Sequence, residues 1–482
     1  MLDRIPAIWW CNFFSRLPTV EAWLLACRLS PISKYLYNIF TKIKQNDRFD
    51  TSRKIVIPSH IHVCRNLNRY IQSTLIQIAK QYNTSQKWII YIPNYSNELN
   101  NTKYISKIII DTEYIIKTHI IKTPVIFNIA FRFNGLKYYY KDREYNHTDD
   151  SNYIRPFEKI FNMASKHISL LDVSSAKLFG LQSLKLWKTL LEMTQLTSLN
   201  LSDNLIHHDN DIAGLALCIS NFTQLQLLDL GNNKLGYNSS QSIKFWESFS
   251  VLSQLTSLNL SKNFIHRDSD IAGLARCISN FTQLQLLDLG NNALKCSGFS
   301  TLVPSIAKLS QLTSLNFKNT ELFKTVIGLF TSIELSKLTT FNLGHNSLIK
   351  GCKQVSMALD TMPQLTSLDL SSTYIKDFSK ITPSLEKMRH LQTLNLSNNQ
   401  IWKAEAMKII ESVSELPNIK VIILSHNLIG NNGIISILDV LPYFIIIPRL
   451  KLLDLQFNNL DKKTRDDLLK NPLVICKYNI QI

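Results

Sequence analysis

Most of the short patterns that mark an enzyme are missing from this 482-residue chain. It has no P-loop, no G-x-S-x-G elbow, no H-E-x-x-H and no dinucleotide fingerprint, which removes the common local signatures of phosphate, hydrolase, metalloprotease and nicotinamide sites. Its eight cysteines (Cys11, Cys27, Cys64, Cys218, Cys277, Cys296, Cys352 and Cys476) are isolated rather than clustered. That usage argues against a disulfide scaffold and for a reducing, cytoplasmic compartment. Glycine is scarce, 13 residues in all. Long apolar runs are also lacking. The most apolar stretch, residues 434–450, contains Asp439, Pro442 and Pro448, so no transmembrane span is expected. The apolar N-terminus begins with Asp3 and Arg4 and is broken by Arg16 and Glu21, which leaves no signal-peptide core.

Acidic residues are few where basic ones are many. The formal charge is +17, with 24 basic against 12 acidic residues before position 168 and 29 against 24 after it. Such an excess attracts nucleic acid or anionic membrane when it is clustered. Here it is dispersed and no nucleic-acid motif accompanies it, so no nucleic-acid partner is expected.

What the chain does contain is one motif written eleven times between Ile168 and Leu460: L-x-x-L-x-L-x-x-N-x-L. A representative copy has Leu196, Leu199, Leu201, Asn204 and Ile206 at the five defined places. Copies start at Ile168, Leu196, Leu225, Leu255, Leu284, Leu312, Leu338, Leu365, Leu391, Ile419 and Leu450, 26 to 31 residues apart. Positions 4 and 6 alternate with polar residues, the period-two pattern of a half-buried strand. Position 9 is Asn in eight copies, where its amide can satisfy backbone groups as the chain leaves the strand. Ala176, Thr320 and Thr373 replace it in the others, and weaker turns are expected there. A second apolar segment follows at helical spacing, as in Ile212, Leu215 and Ile219, with Asp211 and Asp270 placed as helix caps.

This pattern resembles the leucine-rich repeat, and its length resembles the ribonuclease-inhibitor class of those repeats. The resemblance implies an α/β fold: a curved solenoid over residues 168–465, with parallel strands on the concave side and helices on the convex side. Residues 466–482 would form a C-terminal tail or cap. It also implies protein recognition on the concave face, where motif position 5 forms a polar ladder. The ladder comprises Asp172, Asn200, Asp229, Asn259, Asp288, Asn316, Asn342, Asp369, Asn395 and Asp454, broken by Ile423. Large aromatic anchors are nearly absent from that face. The competing reading is that these short side chains merely solvate a crowded sheet.

Residues 194–233 and 253–292 are near copies, 59 positions apart. His207-His208-Asp209 has the look of a metal cluster, but the duplicate reads His266-Arg267-Asp268, which a metal site would not survive. No metal or other cofactor is therefore expected, and no small-molecule substrate. His60, His62 and Cys64 alternate on one predicted strand face without a fourth ligand nearby.

Residues 2–41 divide into three short amphipathic segments. Ile5, Trp9, Phe13 and Leu17 form the first stripe; Ala22, Leu25, Ala26 and Leu29 the second; Ile32, Leu36 and Phe40 the third. The run Ile5-Pro6-Ala7-Ile8-Trp9, followed by Phe13-Phe14-Ser15-Arg16-Leu17, then Glu21 and Leu29-Ser30, resembles the F-box. Ile8 and Pro31 depart from that family's pattern. The resemblance implies that Ile5, Pro6, Trp9, Phe13, Phe14 and Leu17 dock on a Skp-type adaptor of a cullin ubiquitin ligase. Plain helices capping the next region are the alternative.

Residues 54–160 are expected to form a small α+β region. Strands are predicted at Ile55–Ile57, Trp88–Tyr91, Ile105–Ile110 and around the Asn134-Gly135 turn, with a helix over 67–82. Only 22 residues follow Leu460, too few for a catalytic domain after the repeats. The expectation is thus a non-catalytic binding protein, either a ligase substrate receptor or a plain scaffold. Its Asn-, Ile- and Lys-rich composition suits an AT-rich genome, such as that of an intracellular bacterium or large virus, and hence an effector acting in a host cytoplasm.

Overall fold

Leu and Ile at motif positions 1, 4, 6 and 11 have one place to go, the space between a strand layer and a helix layer. A computed structural model of the protein describes residues 165, 168–174, 181–237, 241–322, 335–349, 351–375, 377–443, 450–471, 474 and 479–482, plus the backbone of three earlier strands. The chain divides into two compact units, Met1–Asn204 and Leu205–Ile482. The adaptor-docking residues Ile5, Pro6, Trp9, Phe13, Phe14 and Leu17 lie outside the described residues. So do the helix predicted over 67–82, the strand predicted over 105–110, the Asn134-Gly135 turn, the His60, His62 and Cys64 group, and Ala176.

In the first unit, β1 (Arg53–Val56), β2 (Lys87–Ile92) and β3 (Asn128–Phe133) form a parallel sheet in that order. Ile55 pairs with Ile90, and Ile90 with Phe131. Parallel pairing requires crossover connections rather than hairpins. Further along, β4 (Leu170–Asp172) pairs in parallel with β5 (Ser198–Asn200), and α1 (Leu181–Leu190) lies between them in sequence.

The second unit is built on an open sheet of ten parallel strands: β6 (Leu227–Asp229), β7 (Ser257–Asn259), β8 (Leu286–Asp288), β9 (Ser314–Asn316), β10 (Thr340–Asn342), β11 (Ser367–Asp369), β12 (Thr393–Asn395), β13 (Val421–Ile423), β14 (Leu452–Asp454) and β15 (Asn479–Gln481). They are paired in sequence order, with position 4 facing position 4, as Leu258 faces Leu287. The last of them brings the C-terminal segment into the sheet. Between strands run α2 (Asp209–Ile219), α3 (Ser242–Ser248), α4 (Asp268–Ile278), α5 (Lys295–Ile306), α6 (Cys352–Leu359), α7 (Thr382–Leu385), α8 (Lys403–Ser414), α9 (Gly430–Val440) and α10 (Lys462–Leu468). This is the strand-and-helix solenoid of leucine-rich repeats. Leu228, Leu230, Leu258, Leu260, Leu287 and Leu289 are all buried at positions 4 and 6, as the alternation predicted.

The turn after each strand carries the conserved geometry of the repeat. Asn263 Nδ2 donates to Leu260 O at 3.0 Å and to Leu230 O of the preceding repeat at 2.8 Å. Its Oδ1 accepts from the N–H groups of Asn233 (3.0 Å) and Leu235 (3.3 Å). Buried backbone groups of two repeats are thus satisfied by one side chain. Position 8 sits in the left-handed region in every repeat from Asp203 (φ 60°) to Phe457 (φ 57°).

The Thr repeats solve the turn differently. Thr320 Oγ1 donates to Phe317 O and Thr373 Oγ1 to Leu370 O, which replaces the local bond. The repeat before each Thr then rearranges. Leu294 N–H turns to Asn292 O and Leu348 N–H to Thr373 O. Position 10 there, Ala293 or Ser347, stays out of the left-handed conformation that Lys234 and Phe264 adopt. A hydroxyl is too short to reach back as the amide does.

One expectation is corrected. Asp211 and Asp270 do not cap their helices; the N-cap residues are His208 and Arg267, without side-chain caps. The helices start two residues before those carboxylates, which are consequently carried to the buried side of the first turn. Asp270 accepts from the Trp246 indole N–H at 3.2 Å. The same face of α4 holds Gly273 against the indole, where an added Cβ would come within 2.7 Å of the ring. It also holds Cys277, whose thiol donates to Trp246 O at 2.6 Å. Trp187, Asp211, Gly214 and Cys218 occupy the corresponding duplicated positions, each 59 residues earlier.

Two outcomes follow. Asn263→Ala removes the acceptor of two buried N–H groups, each worth about 1–3 kcal/mol when left unsatisfied. Stability from urea unfolding should fall by at least about 2 kcal/mol, and less for Asn263→Thr. Burial raises the Asp270 carboxyl above its ordinary 3.8, outweighing the indole and Ser242 hydrogen bonds that lower it. An acid with a raised folded-state pKa loses stability as pH climbs from its unfolded value through the folded one. Asp270→Asn should therefore melt higher than wild type at pH 7 and show no advantage below pH 3.

Candidate protein-binding face

Strand positions 3 and 5 point away from the core, and their side chains make the open face of the sheet. In nearly every strand of the second unit the three residues run half-buried, buried, half-buried. Asn200 lies on the same face of β5 in the first unit. Asp229, Asn259, Asp288, Asn316, Asn342, Asp369 and Asn395 form a continuous ladder across β6 to β12, because each faces the next in register. The structure therefore brings together the polar ladder that the sequence singled out.

Each of these side chains also has a local task. Its Oδ1 accepts the backbone N–H two residues on, as Asn259 does from Ser261 (3.0 Å), Asp288 from Gly290 (2.8 Å) and Asp369 from Ser371 (2.9 Å). This Asx turn bends the chain out of the strand ahead of the left-handed residue at position 8. Where position 7 is Ser, its hydroxyl donates to the same oxygen, as Ser261 does to Asn259 and Ser397 to Asn395, both at 2.8 Å. Asp and Asn both supply this acceptor, so the turn requires either residue and only the surface distinguishes them. At position 8 of the β10 repeat, burial and then neighbouring Lys318 hold His345 below its ordinary pKa, against the pull of Asp369.

The aromatic groups are placed where the sequence reading did not look. Tyr237, Phe264, Tyr374, Trp402 and Phe457 are all exposed, and all lie at motif positions 8 to 13, where the chain exits its strand. Phe457 stacks on His426 with ring centres 4.3 Å apart, and Tyr237 meets Phe264 edge-on at 6.4 Å. The available signal was an aromatic residue at motif positions 8 to 13, which vary widely from repeat to repeat, as Asp203, Leu205, His345 and Leu428 show. On the strands themselves, Leu227 and Leu286 are the exposed large apolar residues among the described positions, 45% and 38% accessible.

Burial pushes the Cys218 and Cys277 thiols up to about 12, so neither is a thiolate at neutral pH. Among the described residues, no group of three or more His, Cys, Asp and Glu converges as a metal would require, the His207-His208-Asp209 run included. The rings of His207 and His208 instead lie against each other, 4.0 Å between centres. Among the same residues, no helix is long and apolar enough to cross a membrane.

The family model for leucine-rich repeats in two copies matches residues 363–408, which span β11 and β12. Comparison with curated proteins returned no match. Taken with the stacked parallel strands, the match supports a leucine-rich repeat architecture for the repeat region. Its architecture is that of a protein-interaction module.

The Asx turns predict a clean separation of effects. Asn395→Ala loses an acceptor shared by a backbone N–H and a hydroxyl and should cost about 1–2 kcal/mol. Asp369→Asn keeps the acceptor and should change stability by less than about 0.5 kcal/mol. Paired thermal melts of the two variants measure both.

Proposed function

We propose that this protein is a non-catalytic recognition subunit whose sheet face, the concave face of the solenoid, binds a target protein. The observation that carries this reading is a face of short, half-exposed polar side chains in strict register, on which Leu227 and Leu286 stand exposed. A backbone scaffold repeated at about 4.8 Å offers a large surface to a partner without rearrangement. The exposed aromatics at the strand exits flank that face and supply the ring surfaces common in binding hot spots.

The finer reading assigns residues 2–41 to a Skp-type adaptor, making the protein the substrate-recruiting subunit of a cullin ubiquitin ligase. What supports it is the sequence stripe of Ile5, Pro6, Trp9, Phe13, Phe14 and Leu17 in F-box order. Action in a host cytoplasm, as an effector, follows from the composition in the same reading.

Capture from eukaryotic lysate with the full chain tests both parts. Leu227→Arg with Leu286→Arg should lose the target and retain Skp and cullin subunits. Ile5→Ala with Pro6→Ala should do the reverse, with both variants melting like wild type. Failure of the wild-type chain to return any Skp-type adaptor overturns the ligase assignment and leaves a plain interaction scaffold.

A further inference from the structure

Ten of the eleven repeats place Asp or Asn at position 5, and the β13 repeat places Ile423 there. The choice works against the fold. Ile423 has no oxygen to close the Asx turn, and among the described residues the N–H of buried Ser425, two places on, has no acceptor. Both neighbouring strands make that bond, Ser397 N–H to Asn395 and Gln456 N–H to Asp454, each at 3.1 Å. Position 3 of the same strand is Val421, and Leu452 faces it in register on β14. Three aliphatic side chains, each half-exposed, thus adjoin on a face that is mostly polar. Phe457, at position 8 of the β14 repeat, holds a left-handed φ of 57° that disfavours bulky residues. It is 59% accessible and stacks on His426 of the β13 repeat. Both strands lie beyond the duplicated block at 194–292, so the duplication did not produce this combination.

At the amino end of these strands, position 2 is Lys420 on one and Lys451 on the other, joined by the Lys451 N–H to Lys420 O bond at 2.7 Å. Like charges on adjoining strand positions repel. Lys420 Nζ donates to the uncharged Gln392 Oε1 at 2.7 Å. Lys451 is exposed and has no carboxylate partner among the described residues. Asp454 stands three residues further along β14, about 10 Å away, with its Oδ1 taken by the Gln456 N–H. The patch therefore has a direction. Cations mark the strand starts, the aliphatic floor lies next to them, and a carboxylate closes the far side. Residue choices that run against the local backbone are the mark of a surface kept for something other than folding.

We propose that Val421, Ile423 and Leu452, together with Lys420 and Lys451, form a subsite for a partner-protein segment in which a large apolar side chain is flanked on one side by acidic residues. The proposal rests on the sheet face being the target-binding surface. The apolar side chain covers the aliphatic floor as an anchor of the kind that dominates interfaces. Its acidic neighbours lie over the strand starts, where they relieve the repulsion between the two lysines and stay clear of Asp454. A second copy of this chain is the poorer occupant, because two chains of formal charge +17 repel.

The test uses fluorescence anisotropy with the full chain and labelled synthetic peptides. Glu-Glu-Leu-Phe-Gly-Gly should bind, and bind more weakly as salt is raised. Lys-Lys-Leu-Phe-Gly-Gly, with the charge reversed, and Glu-Glu-Ser-Ser-Gly-Gly, without the anchor, should not bind. Ile423→Asn restores the turn acceptor used by the other repeats, so it should melt at or above wild type. Its affinity for the acidic peptide should nevertheless fall by about tenfold. Lys451→Glu exchanges a like-charged neighbour of Lys420 for an opposite one, so the fold is kept while affinity falls at least as far. Acidic-peptide binding that is unchanged in either variant, equal binding of the lysine peptide, or no binding of the acidic peptide overturns the proposal. Self-association of the wild-type chain in sedimentation velocity that Ile423→Asn abolishes also overturns it, and gives the patch to a second copy. Target capture from lysate separates this proposal from the reading beneath it. Loss with the Leu227→Arg and Leu286→Arg pair but not with Ile423→Asn overturns the subsite and keeps the face. Capture unaffected by either overturns the face.

Discussion

A parallel strand of three residues that must then turn out of its sheet leaves several peptide groups without partners, and the asparagine side chain at motif position 9 supplies them. Asn263 reaches carbonyls in its own repeat and the one before, and accepts two N–H groups from that preceding repeat. Each repeat is consequently completed by its successor, which is why a single unit has no stable existence and a stack does. The left-handed residue at position 8 is tolerated on the same account: its strain is local, while the hydrogen bonds that over-determine it come from both sides.

The departures from the motif show how strict that dependence is. Thr320 and Thr373 are buried and bonded, and position 10 of the repeat before each, Ala293 or Ser347, stays out of the left-handed region, as Leu428 also does before Asn458. On the helix side, packing rather than hydrogen bonding dominates. The clasp of Trp246 by Asp270, Gly273 and Cys277 places two buried hydrogen bonds within a largely apolar layer. Its residues recur at 59-residue spacing because two repeats were duplicated as a block, which explains a shared structure without requiring a shared function.

The open face illustrates how one position serves two purposes. Every Asp or Asn at position 5 from Asp172 to Asn395 makes its Asx turn, which accounts for the residue type. The turn does not account for the choice of Asp over Asn, while the recurrence of Leu, Asp and Gly on β6 and β8 comes from the same 59-residue block duplication.

The repeat motif by itself determined the strands, their parallel order and the buried positions, since period-two alternation at a 26- to 31-residue spacing admits one way of hiding its leucines. It also marked the position 5 ladder and the asparagine turns. Other features needed the folded chain. The sequence placed Asp211 and Asp270 at helix starts, but a start two residues earlier turned them inward, because capping depends on the exact first turn and burial on what lies behind it. The aromatic edge escaped notice because Tyr237, Phe264, Tyr374, Trp402 and Phe457 are dispersed over 221 residues and share a location only once the repeats are stacked. The motif orders the strands, but which exposed side chains of different repeats come to lie together is decided only when the repeats stack.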